Sequence, residues 1–338
     1  MDKTSRKTDK ERKLSSSHTL NNSRLTKSDD PQQNCISVVQ TISQMDAAAF
    51  FRFGLHQAGH SYKKASLDQA TKLDFHRFRS YYGIGPTAGW RVFKEIEDKK
   101  LVENPKINHF LVALSWMKQY PTESNHAGHW NLTENTTRKI CWKYAEAFQE
   151  LKEQKIKWTC HDPENLPDEV FIASVDGVHC MISEIRSNPD KKWFSHKHKT
   201  AGVVYELAIA VFDGSLIWIN GPFPARQSDL AVFRKPGGLK SKIPDGKRVI
   251  ADQGYKAENM LSTRNPMDTP QVKELKRRAK ARHEVFNGLL KNFQILSTRF
   301  RTTHGGEQER LDRHKRVFEG CCVLVMYEIE DDHPLFTV

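Results

Sequence analysis

The chain has 338 residues, enough for one large domain or two medium ones, and its 53 Lys and Arg against 41 Asp and Glu give a formal charge of +12. Such a charge favours polyanionic partners, although solubility alone explains many basic proteins. The six cysteines show no zinc-site spacing, the first residues are too polar for a signal peptide, and no apolar run approaches the ~20 residues of a membrane span. We therefore expect a soluble intracellular protein, nuclear in a eukaryotic host and otherwise cytoplasmic and nucleoid-associated.

The first part of the chain predicts a tail and then helices. Residues 1–44 are rich in Ser, Lys, Asn, Asp and Thr and poor in large apolar groups, which predicts a disordered basic tail. Residues 45–106 predict a helical region, in which Ala47–Phe51 opens one helix and Pro86 starts another that runs to Ile96. The sequence indicates no chemistry in this region.

Residues 107–160 follow the pattern of a helix-turn-helix DNA-binding domain. A helix from Ile107 to Tyr120 stops at Pro121, a short helix follows over 123–129, and Thr133 caps a long helix that reaches about Gln154. Five early positions of the long helix, which we expect to be exposed, are candidates to reach bases or phosphates: Asn135, Thr137, Arg138, Lys139 and Trp142. A plain helical bundle explains the same pattern, so both interpretations stay open.

A linker at 163–167 precedes residues 168–338, a region that begins with residue patterns typical of strands. In chain order this region predicts a strand over 169–175 that continues as 179–185 beyond a bend at Gly177, a hairpin of 202–212 and 215–220 with Asp213-Gly214 at its turn, a helix over 228–234, a strand over 248–251, and helices over about 271–296 and 307–327. This order predicts a mixed sheet in which a right-handed crossover returns the last strand parallel to the first and next to it. The carboxyl ends of these two strands then lie together, where α/β sheets hold their sites.

Three acidic residues stand where such a fold can bring them together. Asp176 and Asp252 each follow an apolar run, and Glu284 lies in the helix predicted over 271–296. The helical period separates Glu284 from an apolar stripe, interrupted by Arg282, that consists of Val272, Leu275, Ala279, Phe286, Leu289, Phe293 and Leu296. It places Glu284 on a basic face with Arg277, Lys280, Asn287, Gly288 and Lys291. Two strand-end carboxylates and one on a later helix can converge on two divalent metal ions that cut phosphodiesters, whereas Glu284 alone is explained by a solvated helix face.

Five stretches, in this order, resemble the DDE superfamily endonuclease domain of the PIF/Harbinger type and its bacterial insertion-sequence relatives. They are Val175-Asp-Gly-Val-His179, 199–211, 221–233, Ala251-Asp-Gln-Gly-Tyr255 and 282–293. The helix-turn-helix pattern resembles the DNA-binding segment that precedes this domain in the family. The resemblance implies an RNase H-like mixed sheet flanked by helices, after an all-α region that contains the helix-turn-helix.

The resemblance also implies roles for individual residues. Asp176, Asp252 and Glu284 match the metal-binding catalytic triad, and Asp229 matches an acid that we treat as accessory. Gln253 departs from the family pattern, in which a small residue is more usual. All-oxygen ligands suit Mg²⁺, with Mn²⁺ able to substitute. On the basic face of the Glu284 helix, Lys and Arg can hold phosphates, and we name Arg277, Lys280 and Lys291 as DNA contacts.

A cut-and-paste DNA transposase is the favoured hypothesis: the enzyme cuts transposon ends by two-metal-ion chemistry and joins the freed 3′-OH to target DNA. The expected partners are double-stranded DNA at terminal inverted repeats and targets, and a second copy of the chain, because two ends must be handled together. A Myb-like helper protein assists many eukaryotic relatives, and the sequence leaves its need open. The alternatives are a domesticated, catalytically silent DNA-binding protein and a metal-dependent nuclease of the same fold.

Overall fold

Seven helices form the first half of the described chain. The computed structural model describes residues 46–64, 66–158, 170–184, 190–256, 258–301, 305–331 and 333–338, so the predicted tail at 1–44 and the linker at 163–167 lie outside the described residues. The helices are α1 (Ala47–Gln57), α2 (Lys72–Tyr82), α3 (Pro86–Asp98), α4 (Ile107–Gln119), α5 (Glu123–His129), α6 (Glu134–Glu150) and α7 (Lys152–Lys155). The predicted succession of short helix, turn and longer helix is confirmed in α5 and α6, although the longer helix ends at Glu150 and not near Gln154.

Capping side chains determine where several of these helices begin. The Asp46 carboxylate accepts a hydrogen bond from the backbone N–H of Ala49 (2.7 Å), and Thr71 and Asp74 form a capping box at the start of α2. Thr133 accepts from the N–H of Thr136 (3.2 Å), as predicted for the start of α6. Each cap gives a partner to a backbone N–H that has none within the first turn, which is worth about 1 kcal/mol.

The last helix, α11 (Glu307–Asp331), packs against α3 and α6 and ties the helical region to the rest of the chain. The buried carboxylate of Glu328 accepts hydrogen bonds from the Arg79 guanidinium and from the N–H of Gly85. The buried carboxylate of Glu319 accepts one from the Lys152 ammonium (2.7 Å). Because an unpaired buried charge is costly, these contacts fix α11 against the helical region. Among the helices of the described residues, none is long and apolar enough to cross a membrane.

Six described strands form one mixed sheet. They are β1 (Phe171–Met181), β2 (Phe194–Ser195), β3 (Thr200–Ala210), β4 (Leu216–Pro224), β5 (Arg248–Ile250) and β6 (Leu261–Ser262). The order is β2-β3-β1-β5-β6, and β4 also pairs with β3. β1 is antiparallel to β3 and parallel to β5, and β6 is parallel to β5. The predicted hairpin and the returning parallel strand are therefore confirmed, and with them the fold class, a mixed sheet flanked by helices after an all-α region.

Three details of the fold differ from the prediction. β1 continues unbroken through Gly177 because its antiparallel pairing with β3 runs from Ala173 to Met181, so the expected bend is absent from this described strand. β2 and β6 were not predicted, since two-residue strands are too short to show a periodicity. The predicted helix over 271–296 is two helices, α9 (Pro270–Lys291) and α10 (Gln294–Ser297), separated at Asn292.

Candidate active site

The parallel pairing of β1 with β5 brings Asp176 and Asp252 next to each other. Ser174 of β1 is paired with Ile250 of β5, and each aspartate follows its paired residue by two positions. β5 has ended before Asp252, which precedes a turn of 3₁₀-helix, as expected for an acid at a strand end. Asp176 instead lies within β1, so the prediction of a strand end is wrong for this residue. It is nevertheless reachable, because the neighbouring strand stops beside it.

A third aspartate, Asp229, approaches the same place from the short helix α8 (Asp229–Phe233). Ser228 caps this helix, and Asp229 is its first residue. A Cβ atom added at Gly177 would lie 3.0 Å from Oδ1 of Asp229, and one added at Gly254 would lie 2.8 Å from Oδ2. Both glycines therefore leave the space that the Asp229 carboxylate occupies. Sequence resemblance gave Asp229 an accessory place, and the fold brings it to the other two aspartates.

Helix α9 packs against β1 and β5 through a face that carries polar as well as apolar residues. Buried positions recur at intervals of three and four residues: Lys276, Ala279, His283, Phe286 and Leu290. Leu290 is buried where the predicted stripe had Leu289, which is half-buried. The predicted stripe contained Ala279 and Phe286 of this face but not Lys276 and His283, because polar residues do not contribute to an apolar period.

Arg282 was expected to interrupt the buried stripe of α9 and is instead part of the buried face, with 1% of its surface exposed. Its guanidinium donates hydrogen bonds to the carbonyl oxygens of Ala210 (2.5 Å) and Val211 (2.9 Å), at the end of β3. His283 lies beside it, with Nδ1 3.2 Å from Oγ of Ser174 on β1. These contacts fix the rotation of α9 on the sheet and thereby the direction of its opposite face.

The opposite face of α9 carries Glu284, which is exposed, as predicted, together with a set of basic and small residues. Arg277 is ion-paired with Glu274 on the same face, and Lys280 forms an ion pair with Asp252 (Nζ–Oδ1 2.7 Å). Half-buried Asn287 donates a hydrogen bond to Oδ2 of Asp176 (3.3 Å). Lys291 and Gly288 are exposed.

A cavity of about 1550 Å³ opens between α9, the middle of β1 and the end of β5. Asp176, Asp252 and Glu284 all line it, so the fold brings the three predicted acids to one space. Basic residues also line the cavity: Lys256, Arg264, Lys273, Lys276, Arg277 and Lys280. A cavity of this size with acids inside and cations around them can admit a phosphodiester chain and hold its charge.

Burial and mutual repulsion perturb the acids on the sheet. Burial raises the pKa of Asp176, and the nearby charges of Asp229 and Asp252 raise it further. Burial likewise raises the pKa of Asp229, and the charge of Asp252 adds to the effect. The pKa of Asp252 is lowered instead, chiefly by its hydrogen bond from Lys280. A further positive charge would therefore stabilise the ionised forms of Asp176 and Asp229, whereas Asp252 is already stabilised by Lys280.

The donor chemistry of these residues fits Mg²⁺. Asp176, Asp229, Asp252 and Glu284 offer only carboxylate oxygens, the hard ligands that Mg²⁺ prefers, and a cation beside them would relieve the repulsion that raises the pKa of Asp176. Within the part of the chain that the structure describes, no group of three or more His, Cys, Asp or Glu side chains is arranged to hold a metal ion. Binding of a metal ion by three of these acids would thus require a rearrangement of their side chains.

Sequence reasoning missed three residues near the acids. Glu206 of β3 is buried, and burial raises its pKa to about 8. A lone acid within the apolar run of β3 was the signal that could have identified it. The charge of Lys197, in the turn between β2 and β3, lowers the pKa of Asp176, Asp229 and Asp252, and nothing in its spacing indicated this proximity. Asn287 was placed on the correct face of α9, but its hydrogen bond to Asp176 was not expected.

The early part of α6 presents only some of its predicted DNA contacts to solvent. Asn135, Arg138 and Lys139 are exposed, and Arg138 is ion-paired with Glu123 of α5. Thr137 is buried, so its expected exposure is wrong. The reason is its position one turn before Ile140 and Cys141, on the side of α6 that packs on the core.

Trp142 of α6 is half-buried against neighbouring side chains. Its ring packs edge-on against Trp116 (centroids 5.3 Å apart), and the Arg313 guanidinium lies 5.5 Å from its centroid. The amphipathic indole is thus committed in part to packing between α4, α6 and α11, and only its remaining surface faces outward.

Comparison with known proteins identifies the region that carries these acids. Residues 175–325 match the family model described as DDE superfamily endonuclease, a span that begins within β1, ends within α11 and contains Asp176, Asp229, Asp252 and Glu284. No curated protein and no solved structure shows a significant match to the chain. The family agrees with the resemblance drawn from the sequence motifs. Residues 175–325 are therefore similar to the DDE superfamily endonucleases, which are enzymes of transposase or nuclease type.

Proposed function

We propose that the protein is a cut-and-paste DNA transposase of the PIF/Harbinger type, which cuts transposon ends and joins the freed 3′-OH to target DNA. The observation that carries the proposal is the convergence of Asp176, Asp252 and Glu284 on one cavity within the matched domain. Family members typically use divalent metal ions and act on DNA. The basic lining of the cavity supports a nucleic-acid substrate over a small molecule.

In this proposal Asp176, Asp252 and Glu284 hold two Mg²⁺ ions, with Mn²⁺ able to substitute and Asp229 as an accessory acid. When bound, the ions supply Lewis-acid activation of the attacking oxygen and stabilisation of the leaving oxygen. Asn287 orients the Asp176 carboxylate through its hydrogen bond. Glu284 is exposed on α9 and lines the cavity, and its own carboxylate completes the set of metal ligands when it turns towards the two aspartates.

The proposed DNA path runs over two basic surfaces. Near the acids, Arg277, Lys280 and Lys291 of α9 contact phosphates, where exposed side chains on one helix face can follow a backbone. Farther away, α5 and α6 act as a helix-turn-helix, with Asn135, Arg138 and Lys139 as the exposed residues that reach the duplex and Trp142 as a partly available contact. Thr137 is excluded from this role by its burial.

Handling two transposon ends requires at least two active sites, so we propose a homodimer or a larger assembly. A Myb-like helper protein is a further proposed partner, and a eukaryotic host would place the activity in the nucleus.

Strand cleavage provides the test. The substrate is a duplex with the terminal inverted repeat, read from the DNA that flanks the coding region, and the Asp176→Asn protein is compared with the unmodified chain in Mg²⁺. We expect nicking at the repeat end by the unmodified chain and its loss in the variant. Undiminished cutting by Asp176→Asn would remove Asp176 from the active site.

A second assay distinguishes the alternatives. A pre-cut repeat end with a free 3′-OH is offered together with target plasmid, and joining is measured. Cleavage without joining would identify a nuclease of the same fold, and binding of the repeat with neither reaction would identify a domesticated DNA-binding protein.

A further inference from the structure

The ammonium of Lys280 lies among the acids of the candidate site. It is 2.7 Å from Oδ1 of Asp252, and this hydrogen bond is the main cause of its raised pKa. The carboxylates of Glu284 and Asp176 also lie near enough for their charges to act on this ammonium, so it interacts with all three members of the proposed triad. A cation that is hydrogen-bonded to Asp252 and close to two further carboxylates occupies the electrostatic position that a metal ion would take.

A metal ion and this ammonium compete for the same carboxylate. Lys280 precedes Glu284 by one helical turn, so both side chains rise from the same face of α9. Transfer of Asp252 to a divalent ion would leave the ammonium beside a positive charge, which repels it. Its four-carbon stem allows it to turn away without moving the helix.

We propose that Lys280 is the counter-ion of the site while no metal is bound and that metal binding moves its ammonium from Asp252 to a DNA phosphate, an inference that rests on the proposed function. The device couples the two ligands of the enzyme. Metal without DNA has to displace the lysine, and DNA offers the displaced lysine a new partner, so each ligand favours the binding of the other.

The exposure of the ion pair determines how strong this coupling is. The side chains of Lys280 and Asp252 are each 54% exposed, and exposed ion pairs are weak. Loss of the pair is therefore expected to tighten metal binding by about two- to fivefold, a change set by the typical strength of such pairs. The effect is small enough for the exchange to occur readily and large enough to measure.

The first measurement is the affinity of the full-length protein for Mn²⁺ in the absence of DNA, from the EPR signal of free Mn²⁺. We expect Lys280→Gln to bind Mn²⁺ about two- to fivefold more tightly than the unmodified chain. Arg277→Gln is the matched control, since it removes the same charge from the same helix face but from a residue that is paired with Glu274, and its Mn²⁺ affinity should change less than that of Lys280→Gln. Asp252→Asn shows how much of the Mn²⁺ binding belongs to this site.

The second measurement is the salt dependence of binding to a short DNA duplex of arbitrary sequence, in Ca²⁺ and in EDTA at matched ionic strength. In the unmodified chain, the metal should increase the number of phosphate contacts read from the salt slope by about one. Lys280→Gln should lack this increase, whereas Arg277→Gln should show it from a lower starting value.

Equal or weaker Mn²⁺ affinity of Lys280→Gln, with site-specific Mn²⁺ binding by the unmodified chain, would overturn the exchange and leave the proposed function intact. Absence of Mn²⁺ binding that depends on Asp252 would overturn both. An equal metal-induced change of salt slope in Lys280→Gln and the unmodified chain would likewise exclude transfer of this lysine to phosphate.

Discussion

The two sides of the cavity solve the same electrostatic problem in different ways. On the side of the sheet, Asp176 of β1 and the nearby Asp229 of α8 are half-buried, and burial is the main cause of their raised pKa. On the side of α9, the exposed carboxylate of Glu284 is solvated, and Lys280 supplies the positive partner of Asp252. β1 and α8 thus hold carboxylates in a place that is unfavourable without a cation, whereas α9 brings cations and an exposed acid to them.

The largest expected effect compares one acid from each side. Asp176→Asn and Glu284→Gln should each reduce metal-dependent cleavage by about 10³-fold, since each removes a ligand charge from the metal site. Without metal the two should differ. Asp176→Asn removes a carboxylate that burial disfavours and should raise the melting temperature, whereas Glu284→Gln alters an exposed residue and should change it little.

Nicking assays and thermal melting in EDTA measure these two effects. Equal melting shifts for both variants would contradict the contrast between the sides, and retained cleavage in Glu284→Gln alone would move that residue out of the triad. Asn287→Ala is a useful companion, because it removes the hydrogen bond to Asp176 without changing charge.

The next effect concerns two arginines of α9 that lie on its two faces. Arg282→Leu removes a buried guanidinium that serves the carbonyls of Ala210 and Val211, and should destabilise the fold by about 2–4 kcal/mol. Arg277→Leu removes an exposed partner of Glu274 and should change stability by less than about 0.5 kcal/mol. Urea denaturation measures both. Similar values would show that the buried face of α9 does not depend on Arg282.

The pH dependence of stability provides a test of the buried acid Glu206 of β3. Burial raises the pKa of Glu206 from its ordinary value of 4.5 to about 8, so the folded protein holds a proton that the unfolded chain releases between these values. Stability from this group is full at pH below 4.5 and is lost as the pH rises to about 8. Glu206→Gln should remove this loss and stabilise the protein by roughly 1–3 kcal/mol at about pH 9.

Denaturation of Glu206→Gln and the unmodified chain across this range measures the difference. Asp213→Asn, in the exposed turn of the β3–β4 hairpin, controls for a general change of charge. A stability difference that does not grow with pH would show that Glu206 is ionised in the folded protein.

The order of β1, β3, β4 and β5 and the approximate positions of most helices could be predicted from the sequence, because local patterns identify these elements. The local signals are the Asp213-Gly214 turn, the Thr133 cap and the apolar runs before Asp176 and Asp252. The right-handed crossover rule then places β5 beside β1. The exposed position of Glu284 followed from the helical period.

The remaining features depend on tertiary contacts that one residue pattern does not contain. Arg282 and His283 look polar in the sequence, and only the ends of β3 and β1 supply their buried partners. The burial of Thr137 also depends on tertiary contacts, because helices from other parts of the chain pack against α6. Lys197 is 21 residues after Asp176 in the sequence, and the turn between β2 and β3 brings its charge to the acids.

The smallest expected effects come from the same substitution, Gly→Ala, at one position of α9 and one of β1. A Cβ at Gly288 of α9 meets nothing within 4 Å, so Gly288→Ala should stabilise the helix by about 0.5–1 kcal/mol. A Cβ at Gly177 would lie 3.0 Å from Oδ1 of Asp229, so Gly177→Ala should displace that carboxylate and lower cleavage.

The value of Gly288→Ala lies in its two opposed readouts. If a DNA backbone approaches α9 closely at this glycine, the variant should melt at a higher temperature and yet bind a duplex more weakly, because the added methyl group occupies the space of a sugar or phosphate. Thermal melting and fluorescence anisotropy on one preparation give both values. Higher stability with unchanged DNA binding would show that the duplex does not approach α9 closely at Gly288, and would limit the proposed DNA contacts of α9 to the residues before it.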